Sequence, residues 1–208
     1  MKLTEMTLTH FTKITESDAP APGGGSVAAL EGALGIALVR MVAALTAGKK
    51  KYAEHENLMQ DVMKDASEIC RKLLVSVDKD TDAFNQVSAV FTMPKDTDEQ
   101  KAQRSNAMQE ALTASTLIPF ETMGLALAAL RIAKSVLGKT NDSAASDLGV
   151  GALSLKAAVC GAWLNVLINL GGIKDAEFAS TYRTQGQAIV DEASLLADEI
   201  FVTMLKSM

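Results

Sequence analysis

One carboxylate interrupts an otherwise apolar pattern. In LLVSVDKDTDAFNQVSAVF, residues 73–91, the apolar Leu73, Val77, Phe84, Val87 and Phe91 recur in steps of four and three, and Asp80 fills the vacant place. On a helix these six residues form a single stripe. A carboxyl group removed from water has a raised pKa, and an acid poised nearer neutrality can both accept and donate a proton, which suits general acid/base work. The same position also suits a buried Asp satisfied by a lysine or by a helix N-terminus, and spacing alone leaves both roles open. Asp78 and Asp82, four apart, share another face with Asn85 and read as solvated.

Other residues have the chemistry to hold a polar ligand. Gly161, Asn165 and Asn169 fall four apart, so two carboxamides lie on one helix face beside a position of close approach. A buried carboxamide without partners costs on the order of 1–3 kcal/mol, so each needs hydrogen bonds from a ligand or from a neighbouring helix. Gly23, Gly24 and Gly25 remove every side chain from a stretch of backbone that something else can approach, and Ser26 then serves as the N-cap of the next helix. Lys49, Lys50 and Lys51 with Tyr52 read either as a solvated helix end or as a holder for an anionic ligand tail. His10 and His55 are isolated, no His/Cys cluster has zinc or iron spacing, and Ser26 is in no G-x-S-x-G elbow. No metal site and no serine hydrolase are expected.

The elements that must position these residues are helices. A short one spans 4–15, with Leu8, Phe11 and Ile14 on one side, before the break ESDAPAPGGGS. A second runs from Val27 to Leu45, and its Ala28, Ala29, Gly32, Ala33, Gly35 and Ala37 admit a neighbouring backbone. A third spans 51–91 and stops before Pro94; a fourth covers Asp98–Leu117, and Pro119 bends or restarts it in a segment to Leu137. After the polar break GKTNDSAASD come a helix from Asp147 to Leu170, ended by a glycine C-cap in GGIKD, and a last one over 174–205. No apolar/polar alternation reads as a strand. The expected fold class is all-α, a single-domain bundle of long helices over 1–208.

Composition agrees. Hydrophobic residues make up 48% and aromatics only 4% of 208 residues, so Ala, Leu, Val and Met must pack the core. Net charge is −5 with the acids dispersed, which disfavours nucleic acid and anionic lipid as partners. The apolar stretches Ser26 to Gly48 and Val150 to Ile173 carry Glu31, Arg40, Lys156 and two asparagines. They read as buried helices and not membrane spans, which need about 20 mostly apolar residues with few or no charges. Cys70 and Cys160 read as buried free thiols. The N-terminal MKLTEMTLTHFTKI has no signal-peptide core, so a cytoplasmic location is expected.

Six segments in order, APAPGGGSVAALEGALG at 19–35, LTAGKKKY at 45–52, VDKDTDAF at 77–84, MPKDTDEQKAQR at 93–104, NDSAASDLGV at 141–150 and GAWLNVLINLGGIKD at 161–175, resemble the formimidoyltetrahydrofolate cyclodeaminase/methenyltetrahydrofolate cyclohydrolase family. The resemblance covers nearly the whole chain. It implies an all-helical subunit that forms a homodimer, with a folate site near the Gly-rich loop and the subunit interface. It also implies an acid/base carboxylate at Asp80, the second aspartate of VDKDTDAF, and Asp147 as a second catalytic carboxylate. The implied activity is conversion of 5-formimidoyltetrahydrofolate to 5,10-methenyltetrahydrofolate with release of ammonia, the alternative being hydrolysis of 5,10-methenyltetrahydrofolate to 10-formyltetrahydrofolate. Gly23, Gly24, Gly25, Ser26, Asn165 and Asn169 are then substrate-binding candidates, with Lys49 and Lys50 for a polyglutamylated tail. No cofactor is implied. The transferase domain that precedes this unit in bifunctional relatives is not expected here, and where those relatives often have Gly and Asn before the Ser-Asp pair, this chain has Asn141-Asp142-Ser143 ahead of Ser146-Asp147. A non-catalytic helical scaffold is the alternative of another class.

Overall fold

Small residues at helix contacts decide how this chain packs. The computed structural model describes residues 2–207, and Met1 and Met208, the ends of the expected 1–208 domain, lie outside them. Its long elements are α1 (Leu8–Thr15), α2 (Gly24–Thr46), α3 (Glu56–Phe91), α4 (Asp98–Ser135), α5 (Ala145–Leu170) and α6 (Ala176–Ser207), with 3-10 turns at Leu3–Glu5, Lys50–His55 and Asp142–Ala144. No strand occurs among the described residues, as the all-α expectation requires.

The helices α2 and α5 form the centre. A Cβ on Gly161 would touch that of Ala28 at 3.3 Å, one on Gly32 that of Ala158 at 3.3 Å, and one on Gly35 would lie 2.9 Å from Gly151 O. Residue numbers rise along one helix as they fall along the other, so the pair is antiparallel, and glycine is obligatory where the backbones meet at Gly35 and Gly151. One consequence fixes the site: the first turn of α2 sits beside the C-terminal half of α5. Around this pair, α3, α4 and α6 complete a core in which Ile36, Val39, Met59, Leu73, Met123, Leu130, Leu155 and Ile200 are fully buried. Arg131–Glu192 and Lys156–Asp198 ion pairs clip α6 to α4 and α5. Both cysteines are free and half-buried, less enclosed than expected.

Three boundaries differ from expectation. The second helix begins at Gly24, with Gly23 as its N-cap, so the last two glycines are its first turn and not a loop, and Ser26 is its third residue and not its cap. The third begins at Glu56, after the 3-10 turn that absorbs the lysine run. The fourth continues through Pro119 to Ser135, because Pro119 is buried in a packed bundle and its lost backbone hydrogen bond is replaced from α5.

By length and composition, α2, α4 and the stretch 142–170 could each cross a membrane, and 50%, 50% and 39% of their apolar windows are buried in the bundle. Much of the remainder is an uncovered apolar face, which includes Leu34, Met41 and Leu45 of α2 and Val150, Leu153, Leu164 and Ile168 of α5.

Candidate active site

The first turn of an α-helix leaves backbone N–H groups without intrahelical partners, and a carboxylate is a natural occupant of that position. On α2 the occupant is Asp80. Its side chain reaches from α3 across Gly25, so closely that a Cβ on Gly25 would lie 2.8 Å from Oδ2 and nearer still to Cγ and Oδ1. Gly24 plays the same part toward α5, where an added Cβ would meet Asn165 Nδ2 at 3.3 Å. The glycines are therefore clearance for side chains from two other helices. The Ser26 hydroxyl, fully buried, lies 2.9 Å from Val77 O, 3.0 Å from Asp80 Oδ2 and 3.2 Å from Thr81 Oγ1, and the Ser26 backbone N–H also donates to the carboxylate.

These contacts set the electrostatics. Burial pushes the Asp80 carboxyl above the usual aspartate range, and the two Ser26 donors pull part of the way back by favouring the charged form. No lysine, arginine or histidine lines the cleft among the described residues, so no cation holds the group ionised. The helix N-terminus that the sequence left open as a structural partner is present. It shares the carboxylate with an open cleft of about 320 Å³, the size of a small-molecule site.

The stripe that carries Asp80 changes character at this residue. Leu73 and Val77 are buried, whereas Phe84 is 40% exposed and Phe91 65%. Beyond Asp80 the core-facing positions of α3 pass to Ala83 and Val90, and Phe84 and Val87 become an apolar wall of the cleft.

The opposite wall holds the carboxamides. Asn165 Nδ2 donates to Gly161 O at 2.9 Å, and Asn169 Nδ2 donates to Ser115 O at 2.9 Å. The second bond answers a specific need. Pro119 has no N–H to offer the carbonyl four residues earlier, which is that of Ser115, and Asn169 supplies the donor instead. Half of the structural alternative is thus realised, and the Oδ1 of each asparagine keeps its acceptor capacity with no protein donor among the described residues. Ile168, 77% exposed, borders the cleft between them.

Gly23, Gly24, Gly25, Ser26, Asp80, Asn165 and Asn169 are thus brought together. Lys49, Lys50 and Asp147 are not. The lysines follow the far end of α2, about 35 Å from its first turn at 1.5 Å per residue, and Asp147 lies about 27 Å along α5 from Asn165. At that pole Lys51 pairs with Asp142 at 2.5 Å and Asn141 N donates to Thr46 Oγ1, so the 138–147 segment closes the end of the bundle. Asp78 is engaged and not simply solvated: it accepts from Leu3 N at 2.6 Å and Thr4 Oγ1 at 2.9 Å, anchoring the N-terminal segment. The sequence reading missed Thr81, whose hydroxyl meets Ser26. Its position next to Asp80 was the available signal. No group of three or more His, Cys, Asp or Glu side chains suited to a metal ion occurs among the described residues.

The family described as formiminotransferase-cyclodeaminase matches residues 7–188. A methenyltetrahydrofolate cyclohydrolase of Methylorubrum extorquens is 37% identical over 198 residues, covering 95% of each chain. The formimidoyltransferase-cyclodeaminase of Gallus gallus is 34% identical over 88% of this chain, which spans 34% of that longer protein. The crystal structure of the formiminotetrahydrofolate cyclodeaminase of Thermotoga maritima has the same fold, with a TM-score of 0.82 at 25% identity over 99% of this chain and 97% of that one.

Proposed function

We propose, from the premise that this chain belongs to the formiminotransferase-cyclodeaminase family, that the cleft at Asp80 acts on the one-carbon bridge between N5 and N10 of tetrahydrofolate. One observation carries the reading: a carboxyl group pushed up by burial stands in an open cleft between free carboxamide oxygens and an apolar wall.

With 5-formimidoyltetrahydrofolate protonated on its formimino nitrogen, N10 attacks the formimino carbon and must lose its proton, while the departing –NH2 must gain one before it leaves as ammonia and the bridge becomes the methenyl cation. The Asp80 carboxylate accepts the first proton and returns it to the leaving nitrogen, completing the methenyl ring. Asn165 and Asn169 accept hydrogen bonds from the pterin edge through Oδ1, and Phe84 and Val87 cover its face. Holding N10 against the carbon adds to what proton transfer supplies, which is about 10²–10⁴-fold. Both steps move protons and electron pairs within the substrate, so the chemistry calls for no metal or redox cofactor.

The full-length likeness to a cyclohydrolase favours a second reading of the same site. Water adds to the cationic methenyl carbon of 5,10-methenyltetrahydrofolate, Asp80 takes one of its protons and delivers it to N5, and the C–N5 bond breaks as the remaining hydroxyl proton leaves to solvent, giving 10-formyltetrahydrofolate. The methenyl chromophore separates the two. Its growth from the formimino substrate with one ammonia released supports the first reaction, its decay without ammonia the second, and no change with either substrate refutes both.

The uncovered apolar face of α2 and α5 supports the homodimer, and Ile168 joins that face to the cleft. An isologous dimer whose two-fold axis crosses these helices exchanges their poles. It is the arrangement that delivers Asp147, Lys49 and Lys50 of a second subunit toward Asp80. Mixing inactive Asp80→Asn and Asp147→Asn subunits then restores part of the activity; a mixture as inactive as either parent contradicts a shared site.

A further inference from the structure

The Ser26 hydroxyl has more acceptors than protons. Its Oγ lies 2.9 Å from Val77 O and 3.0 Å from Asp80 Oδ2, and its single proton can serve only one of them at a time. Val77 O, inside α3, already accepts the helical bond from the N–H four residues later, which is that of Thr81. The ionised Asp80 carboxylate has the greater need, because a hydrogen bond to a charged group is about twice as strong as one between neutral groups. A third oxygen, Thr81 Oγ1, lies 3.2 Å from Ser26 Oγ and bears on the choice.

Thr81 departs from a habit of this chain. Several threonines inside its helices donate to the carbonyl four residues earlier: Thr46 to Val42 O at 2.7 Å, Thr116 to Leu112 O at 2.8 Å and Thr122 to Ile118 O at 3.2 Å. For Thr81 that carbonyl is Val77 O, yet its hydroxyl meets Ser26 Oγ instead. With Ser26 donating to Asp80, this contact is a hydrogen bond only if Thr81 is the donor. The three side chains then form one directed chain, Thr81 to Ser26 to Asp80, and a hydroxyl that accepts such a bond becomes a better donor in turn.

No charge competes with this chain. Asp80 is the only charged residue lining the cleft among the described residues, so Glu31 and Arg40 of α2 and Asp147 and Lys156 of α5 stand away from it. Lys79 and Asp82 of α3 line a separate groove with Lys2, Arg71 and Asp78, and Glu121 of α4 meets Lys79 at 3.9 Å. Short-range donors therefore govern the charge on Asp80.

We propose that Thr81 is a positioning residue for the proton transfer: by donating to Ser26 Oγ it directs the Ser26 hydroxyl proton onto the Asp80 carboxylate and keeps that carboxylate ionised, ready to accept a proton. It acts through Ser26 and needs no contact with the reacting atoms. The assignment rests on the acid/base reading of Asp80 and names what holds that group in its working charge state.

The test is a titration of Asp80 in the ligand-free protein, followed through the carboxyl carbon resonance of isotope-labelled aspartate and assigned by its loss in Asp80→Asn, together with the acidic limb of the kcat profile. Thr81→Val removes the hydroxyl and keeps the branched shape. It is expected to raise the Asp80 midpoint by about half a pH unit, and the acidic limb with it. Thr81→Ser, which keeps the hydroxyl, should titrate as wild type does. In a Ser26→Ala background Thr81→Val should shift nothing further, because the link to the carboxylate is already gone. An unmoved midpoint in Thr81→Val, an equal shift in Thr81→Ser, or a shift of full size in the Ser26→Ala background overturns the proposal. A midpoint that moves as expected while the kcat limb stays fixed supports the hydroxyl chain and overturns the acid/base reading of Asp80.

Discussion

The Asp80 carboxylate occupies the space in which a side chain on Gly25 would begin. Gly25 is buried in the first turn of α2, and Asp80 arrives from the middle of α3, so the contact is also a helix–helix contact. Gly25→Ala must therefore displace the carboxylate, the α3 backbone or the start of α2. A displacement near 1 Å costs about 10²-fold in rate when it falls on a reacting group. We expect a loss of at least that size in kcat/KM with the far-ultraviolet helix signal kept. An alanine variant with near-wild-type turnover would show that the close approach is packing alone.

Ser26 tunes the same group. Its hydroxyl and its N–H favour the charged carboxylate, against the burial that raises the pKa. Ser26→Ala removes one of these donors, so the Asp80 pKa rises further. If the ionised form starts the reaction by taking a proton, activity climbs as pH rises through that pKa, and the acidic limb of the kcat profile of Ser26→Ala moves to higher pH. The profile is measured from turnover at saturating substrate. An unmoved limb, or one moved to lower pH, disagrees with this arrangement.

Asn169 and Pro119 form a pair whose coupling can be measured. Asn169→Leu leaves Ser115 O without its donor, at a cost of about 1–3 kcal/mol in unfolding free energy. In a Pro119→Ala background, residue 119 regains an N–H that can serve Ser115 O, and the same Asn169→Leu change should cost about 1 kcal/mol less. Denaturant unfolding of the four proteins of the cycle gives the coupling. Additive effects would mean that the carbonyl is satisfied by other means.

Much of this was legible in the sequence because it depends on local periodicity. Steps of four and three between Leu73 and Phe91 singled out Asp80, and the small residues of α2 and α5 announced a close pair. What was not legible depends on which helices meet. Ser26 reads as an N-cap by type and position, and only the arrival of Asp80 and Val77 turns its hydroxyl toward α3. Pro119 reads as a helix break unless Asn169, 50 residues later, is known to face Ser115. Lys49, Lys50 and Asp147 stand in segments that match the family, yet helix length carries them to the opposite pole of the chain. Lys95, Lys101, Arg104 and Lys174 look like scattered surface charges until the end of α5 folds back beside the start of α4.

The most direct test of the central claim, that Asp80 carries the proton at the one-carbon bridge, is turnover by Asp80→Asn, followed through the methenyl chromophore. In the folded wild type the Asp80 pKa lies above its unfolded value, so the stability this group contributes is present at low pH and is lost as pH rises through the folded pKa. The asparagine variant lacks that loss, and its melting temperature at neutral pH should be no lower than that of wild type, which separates catalysis from folding. The account predicts a folded protein whose kcat falls by about 10²–10⁴-fold. A folded Asp80→Asn protein with wild-type kcat would contradict it.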